Sequence, residues 1–110
     1  MEKEEIIKKC KLTEKELEEF MEFIENKDPK KDHSRAYRTL MNPTRRKIMK
    51  TIGYEVKTTE EISEELGIES NQLEYHFSML EQLRCILRSE EGWKSTPRGL
   101  GFLENASMMF

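Results

Sequence analysis

Thr58-Thr59-Glu60-Glu61-Ile62-Ser63-Glu64-Glu65-Leu66-Gly67-Ile68, followed by Ser70-Asn71-Gln72-Leu73-Glu74-Tyr75-His76-Phe77-Ser78-Met79-Leu80, decides how this 110-residue chain folds. Thr58 with Glu61 three residues later is a capping box, which opens a helix by pairing its first free backbone amides with side-chain oxygens. Ile62 and Leu66 then share one face, and Ser63 is small enough to let a second helix cross closely. Gly67 supplies the left-handed conformation that ends a helix. Ser70 is the expected cap of the next one, in which Leu73, Phe77 and Leu80 form a buried stripe and Asn71, Glu74, Tyr75, Ser78 and Gln82 lie opposite. Two such helices joined through a glycine turn have helix-turn-helix spacing.

Downstream, Ile86-Leu87-Arg88 and Trp93-Lys94-Ser95 read as short strands around a Glu91-Gly92 turn. Thr96-Pro97 gives a cap and first residue for a final helix, along which Phe102, Leu103, Ala106, Met109 and Phe110 repeat at helical spacing. Upstream, Asn42 caps and Pro43 begins a helix whose inner face is Ile48, Met49 and Ile52; Ala36, Tyr37, Leu40 and Met41 mark a short helix before it. The expected fold is mainly α with a small two-stranded β wing: a winged helix-turn-helix with extra N-terminal helices and a C-terminal helix. Residues 1–27 form an N-terminal helical arm, where Thr13 and Glu16 make another capping box and Leu17, Phe20, Met21 and Ile24 fall on one stripe. Residues 28–35 show no periodicity and read as a linker, and 36–110 hold the winged domain with its C-terminal helix.

At this length the chain is one domain with one modest core, so further apolar stripes are expected to serve self-association. The net charge of −3 conceals a segregation: residues 28–57 hold nine basic and three acidic side chains, whereas 58–83 hold seven acidic and none basic. Blocks of opposite sign side by side create a strong local field despite a near-neutral sum. Two cysteines 75 positions apart, Cys10 and Cys85, make neither a disulfide framework nor a zinc spacing and read as reduced thiols. No apolar signal-peptide core or membrane-length window appears, so a cytoplasmic protein without membrane attachment is expected. No phosphate-cradling glycine loop, metal-protease helix or nucleophile–histidine–carboxylate set is present, which argues against an enzyme; no cofactor and no metal site are expected.

Leu40-Met41-Asn42-Pro43-Thr44-Arg45-Arg46, Glu61-Ile62-Ser63-Glu64-Glu65-Leu66-Gly67-Ile68, Tyr75-His76-Phe77 with Met79-Leu80, and Thr96-Pro97-Arg98-Gly99 occur in an order and spacing that resemble the ArsR-like winged-helix transcriptional regulators. The resemblance covers residues 36–103. It implies a homodimer assembled through terminal helices, each subunit placing a recognition helix, about 70–83, in the major groove of a palindromic site on double-stranded DNA, with the wing, about 86–95, on the backbone or minor groove. The cysteine pairs and carboxylate–histidine sets of that group's metal sensors are missing here, and nothing in the sequence names a small-molecule effector.

On that reading Asn71, Gln72, Glu74, Tyr75 and Ser78 are the candidate base-reading residues. With no Lys or Arg in 58–83, phosphate attraction falls to Arg45, Arg46, Lys47 and Lys50 beside it and to Arg88, Lys94 and Arg98 near the wing. Arg45 has two readings, a phosphate contact or an ion pair with the acidic block; Glu74 is either a cytosine acceptor or a solvated charge. Leu17, Phe20, Met21, Ile24, Phe102, Leu103, Ala106, Met109 and Phe110 are the candidate dimer interface. His76 reads as a half-buried packing residue, His33 as a surface residue, and Cys85 and Trp93 as core. The competing expectation is a protein-interaction module of the transcription machinery, its acidic face at 58–83 docking a basic partner.

Overall fold

Capping chemistry sets the helix starts. The computed structural model describes residues 2–105 and Phe110. Thr13 accepts from the Glu16 amide while Glu16 accepts from the Thr13 amide, and Thr58 and Glu61 do the same. Asn42 Oδ1 accepts from the amides of Thr44 and Arg45, and Pro43 follows it, as the sequence predicts. In chain order the helices and strands are α1 (Lys3–Lys9), α2 (Glu14–Asn26), α3 (Pro29–Leu40), α4 (Pro43–Ile52), β1 (Val56–Lys57), α5 (Thr59–Leu66), α6 (Ser70–Gln82), β2 (Ile86–Ser89), β3 (Gly92–Ser95) and α7 (Pro97–Asn105). This is a winged helix-turn-helix: α5, a left-handed Gly67 (φ 66°, ψ 31°), α6, then the β2–β3 hairpin.

Three expectations need correction. The segment 28–35 is not an irregular linker: Asp28 Oδ1 accepts from the Lys30 and Lys31 amides, Pro29 takes the first position, and α3 runs unbroken to Leu40. Its first two turns are polar and exposed except at Asp32, so no apolar period betrays them, and only the Asp-Pro start signals a helix. Ser70 is not the cap of α6; Glu69 occupies that place without a side-chain cap bond. The wing sheet has three strands, because Val56 and Lys57 pair antiparallel with Lys94 and Trp93 to give the order β1-β3-β2. Two residues are too few to show a strand period.

The core cluster is drawn from α3 to β3, with Ile48, Met49 and Ile52 of α4, Ile62 of α5, Leu73, Phe77 and Leu80 of α6, and Cys85, Ile86 and Trp93 in and beside the hairpin all buried. Trp93 stacks at 4.6 Å on Phe77 and donates its indole N–H to Thr59 Oγ1 at 3.1 Å, so it packs rather than projects. Ala36 and Leu40 join this core, whereas Tyr37 and Met41 face outward, 63% and 51% exposed. Thr96 Oγ1 accepts from the Gly99 amide and so caps α7. The N-terminal helices fold onto this body: Ile6 is fully buried, α1 packs on α7, and Phe20 meets Phe110 edge to face at 5.9 Å. A buried ion cluster joins α3 to α7, with Asp32 accepting from both Arg98 and Lys27 while Arg98 Nη1 donates to the Leu83 carbonyl at 2.7 Å. No helix among the described residues is long and apolar enough to cross a membrane.

Candidate nucleic-acid interface

Helix α6 turns Leu73, Phe77 and Leu80 into the core, which leaves Asn71, Gln72, Glu74, Tyr75 and Ser78 exposed, as the stripe predicts. Tyr75 is a large aromatic 62% open to solvent in the middle of this polar face. Gln82 Nε2 donates to Ser78 Oγ at 3.4 Å, one turn further along the same face. At 100° per residue, Gln82, Tyr75 and Asn71 point most directly away from the core, with Ser78 and then Glu74 toward one flank and Met79 toward the other.

The cations around this face divide into those held by the fold and those left open. Arg45 is only 7% exposed: its Nε donates to His76 Nδ1 at 3.2 Å, its Nη1 donates to the Thr39 carbonyl at 3.4 Å, and its guanidinium lies 5.4 Å from the Tyr75 ring centre. It pairs with no carboxylate of the acidic block among the described residues, so of its two sequence readings the ion pair is not formed. Because His76 Nδ1 accepts, the imidazole is neutral there; burial, and next the Arg45 charge, hold its pKa below the usual histidine value. Half-buried His76 thus fixes Arg45, which in turn backs Tyr75.

Lys94 corrects the expectation of a free wing cation. Its ammonium is 2.9 Å from Glu16 Oε1 of α2 and the residue is 5% exposed. Burial pushes the Glu16 carboxyl up, but the Thr13 amide and the Lys94 ammonium outweigh it and hold the pKa below the carboxylate range. Arg98 is likewise unavailable, fully buried against Asp32. Arg88 remains exposed, 4.4 Å over the Trp93 ring and 3.4 Å from Glu74, a surface pair worth roughly 0–1 kcal/mol. Arg46 is half-buried, and Lys47 and Lys50 are exposed.

On α5, Glu60, Glu61, Glu64 and Glu65 line the outer side; Lys57 bridges Glu65 at 2.5 Å and Glu55 at 3.6 Å, and Glu61 is engaged in the capping box. Sequence reasoning misses the contribution of α3, which sets the exposed side chains of Arg35 and Arg38 beside Tyr75. Both lie in or next to the stretch without apolar periodicity, and the Asp28-Pro29 start is the signal that would place them on a helix.

The apolar stripes are partly spent inside the chain. Phe20 is buried against Phe110, and Phe102 and Leu103 pack on the core cluster, whereas Leu17, Met21 and Ile24 are half-buried. Leu17 and Met21 sit in a shallow groove walled by Glu14, Glu18, Glu22 and Glu25. Ala106 and Met109 lie outside the described residues. Cys85 is buried, and burial pushes its thiol up to about 12, so it behaves as a small apolar side chain.

This arrangement is that of a winged helix-turn-helix domain. Residues 40–88 match the family described as helix-turn-helix domain. Over 72 residues the chain is 31% identical to an uncharacterized protein of Archaeoglobus fulgidus, an alignment covering 66% of this chain and 83% of that protein. No solved structure matches. The chain carries a helix-turn-helix domain and belongs to one family with the archaeal protein.

Proposed function

We propose that the protein is a sequence-specific transcriptional regulator of the ArsR-like kind, binding double-stranded DNA as a homodimer with α6 in the major groove and the hairpin 86–95 against the backbone or minor groove. The observation that carries this reading is the exposed face of α6, polar apart from one solvent-open tyrosine and set on a helix whose opposite side is wholly committed to the core. Asn71, Gln72, Ser78 and Tyr75 supply amide, hydroxyl and aromatic groups suited to base edges and thymine methyls. Glu74 is tied to Arg88, so the pair must open before either contacts DNA. Arg46 and Arg88 serve backbone phosphates, and Arg45 positions Tyr75. Leu17, Met21 and Ile24, half-buried in the single chain, favour a second subunit near the arm.

Selection from random duplexes at two salt concentrations tests this. The expected result is an inverted repeat with half-sites about one helical turn apart. Tyr75→Ala should weaken the selected site by roughly 1–3 kcal/mol and leave random duplex binding unchanged. No enrichment, together with sedimentation as a monomer at micromolar concentration, would refute the reading.

The four glutamates of α5 favour a second reading, a module that docks a basic protein surface, since they repel phosphates where the helix-turn-helix would approach DNA. A partner retained after nuclease digestion and lost on reversing Glu60, Glu61, Glu64 and Glu65 to Lys would support it; retention after reversal would exclude it.

A further inference from the structure

A half-open cleft of about 370 Å³ lies between α3, the start of α4 and α6, lined by Arg35, Arg38, Thr39, Arg45, Tyr75, Met79 and Gln82. Three arginines line it and no Asp or Glu does. Arg35 and Arg38 are exposed and enter no ion pair or side-chain hydrogen bond among the described residues, while Arg45 is clamped by His76 and Thr39 at the cleft wall. Arg35 also borders a neighbouring cleft containing Asp28 and Asp32, but Asp32 is already shared by Arg98 and Lys27, and Asp28 caps α3. Two unpaired arginines and a third held behind them, lining one cleft with a tyrosine and an amide, suit the planar, multi-acceptor geometry of a phosphate.

The placement is as informative as the chemistry. Met79, beside the outward-pointing Tyr75 and Gln82, brings this cleft to one flank of α6, and Glu74 brings Arg88 to the other. Asn71 and Ser78 fall between the two flanks on the helix surface. A helix lying in the major groove, about 12 Å wide, meets a phosphate backbone on either side.

Building on the DNA-binding reading above, we propose that Arg35 and Arg38, with Arg45 behind them, form a phosphate seat that takes a phosphodiester of the duplex backbone on the flank of α6 away from Arg88. The seat positions α6 in the groove and carries no sequence preference of its own.

The test is an Arg35→Gln/Arg38→Gln double variant of the full chain, whose thermal unfolding should match the parent because both side chains are exposed. Affinity for the selected duplex and for a scrambled one should fall by the same factor, about tenfold or more at moderate salt. The slope of log affinity against log salt should become shallower by about 0.9, the value for the one phosphate no longer neutralised. An unchanged slope with both duplexes overturns the inference and leaves the DNA-binding reading standing. A reduction confined to the selected duplex also overturns it, because the arginines would then read bases. Inorganic phosphate, compared with chloride at equal ionic strength, separates the sources: if it raises the melting temperature of the parent and not the variant while DNA binding is unaffected, the seat serves a free anion and the duplex assignment fails. If the parent binds no duplex at all, the DNA-binding reading itself falls, an outcome distinct from all of these.

Discussion

Replacing Asp32 by alanine should unfold the chain more readily than any exposed change, although this residue lies in a stretch whose sequence looks like a linker. Its carboxylate accepts from Arg98 and, at 3.1 Å, from Lys27; Arg98 is fully buried, and its one other side-chain hydrogen bond is to the Leu83 carbonyl. Arg98 Nε already lacks a partner. Removing the carboxylate therefore leaves a buried guanidinium uncompensated, which costs about 3–5 kcal/mol. Against a typical total of roughly 5–15 kcal/mol this is a large fraction, and it should lower the melting temperature by about 10 °C or more. Urea unfolding followed by far-UV circular dichroism and by the fluorescence of Trp93, the single tryptophan, measures it. The pH dependence gives a second check. Burial pushes the Asp32 carboxyl up, but its hydrogen bonds and charge interactions with Arg98 and Lys27 prevail and hold its pKa below the usual range. A carboxyl depressed in the folded state contributes stability that is complete above its unfolded value, about 3.9, and is lost as pH falls through the folded value; the acid limb of the stability curve should flatten in Asp32→Ala. Pairing Asp32→Ala with Arg98→Met removes the orphaned charge and should recover part of the stability. A single-variant cost below about 1 kcal/mol, the range of exposed pairs, or a double variant equal to the sum of its parts, would refute the argument.

Gly99→Ala should destabilise by roughly 1–3 kcal/mol in the same urea assay, because a Cβ there would overlap the carbonyl oxygen of Cys85, backbone that cannot step aside; a neutral result would mean α7 can shift on β2. Lys94→Met and Arg88→Ala should separate cleanly: the first orphans Glu16 and lowers folding stability, whereas the second leaves stability nearly unchanged and makes the DNA salt dependence shallower by about 1 unit. Finally, His76 should titrate below the ordinary histidine value by NMR. Since its folded pKa is depressed, its contribution is complete above the unfolded value of about 6.5 and lost as pH falls through the folded one, so stability should decline on acidification across that window and less so in His76→Gln. An upward-shifted imidazole would contradict the Arg45 to His76 hydrogen bond.

The winged module is legible in the sequence because its determinants are local. Thr58 with Glu61, Asn42 with Pro43, and Gly67 each act within four residues, and the stripe of Leu73, Phe77 and Leu80 follows one helical period. Helix α3 is not, because Lys30, Lys31, His33, Ser34 and Arg35 are all exposed and give no apolar repeat. Strand β1 is hidden for the opposite reason. Its two residues are set in place by Lys94 and Trp93, nearly forty positions away, rather than by anything in their own neighbourhood.

The candidate site is legible only on one side of each element. Direct partners in an antiparallel sheet share a face, so Trp93 and Arg88 lie together on one side of the wing and Lys94, Leu87 and Val56 on the other. Alternation with a buried Trp93 would make Lys94 a solvent-facing cation, and that expectation fails because Glu16 of α2, 78 positions earlier in the chain, covers it. Arg98 is withdrawn from the surface in the same way, through Asp32 of α3. Both neutralising carboxylates come from residues 1–35, the part of the sequence that looks like an arm and a linker. That region therefore removes cations from the wing side while α3 offers Arg35 and Arg38 beside Tyr75, and the usable positive charge is displaced from where the linear sequence puts it. A count of basic residues near the wing overstates what DNA would meet there, and only the nonlocal packing of α2 and α3 reveals which of them remain free.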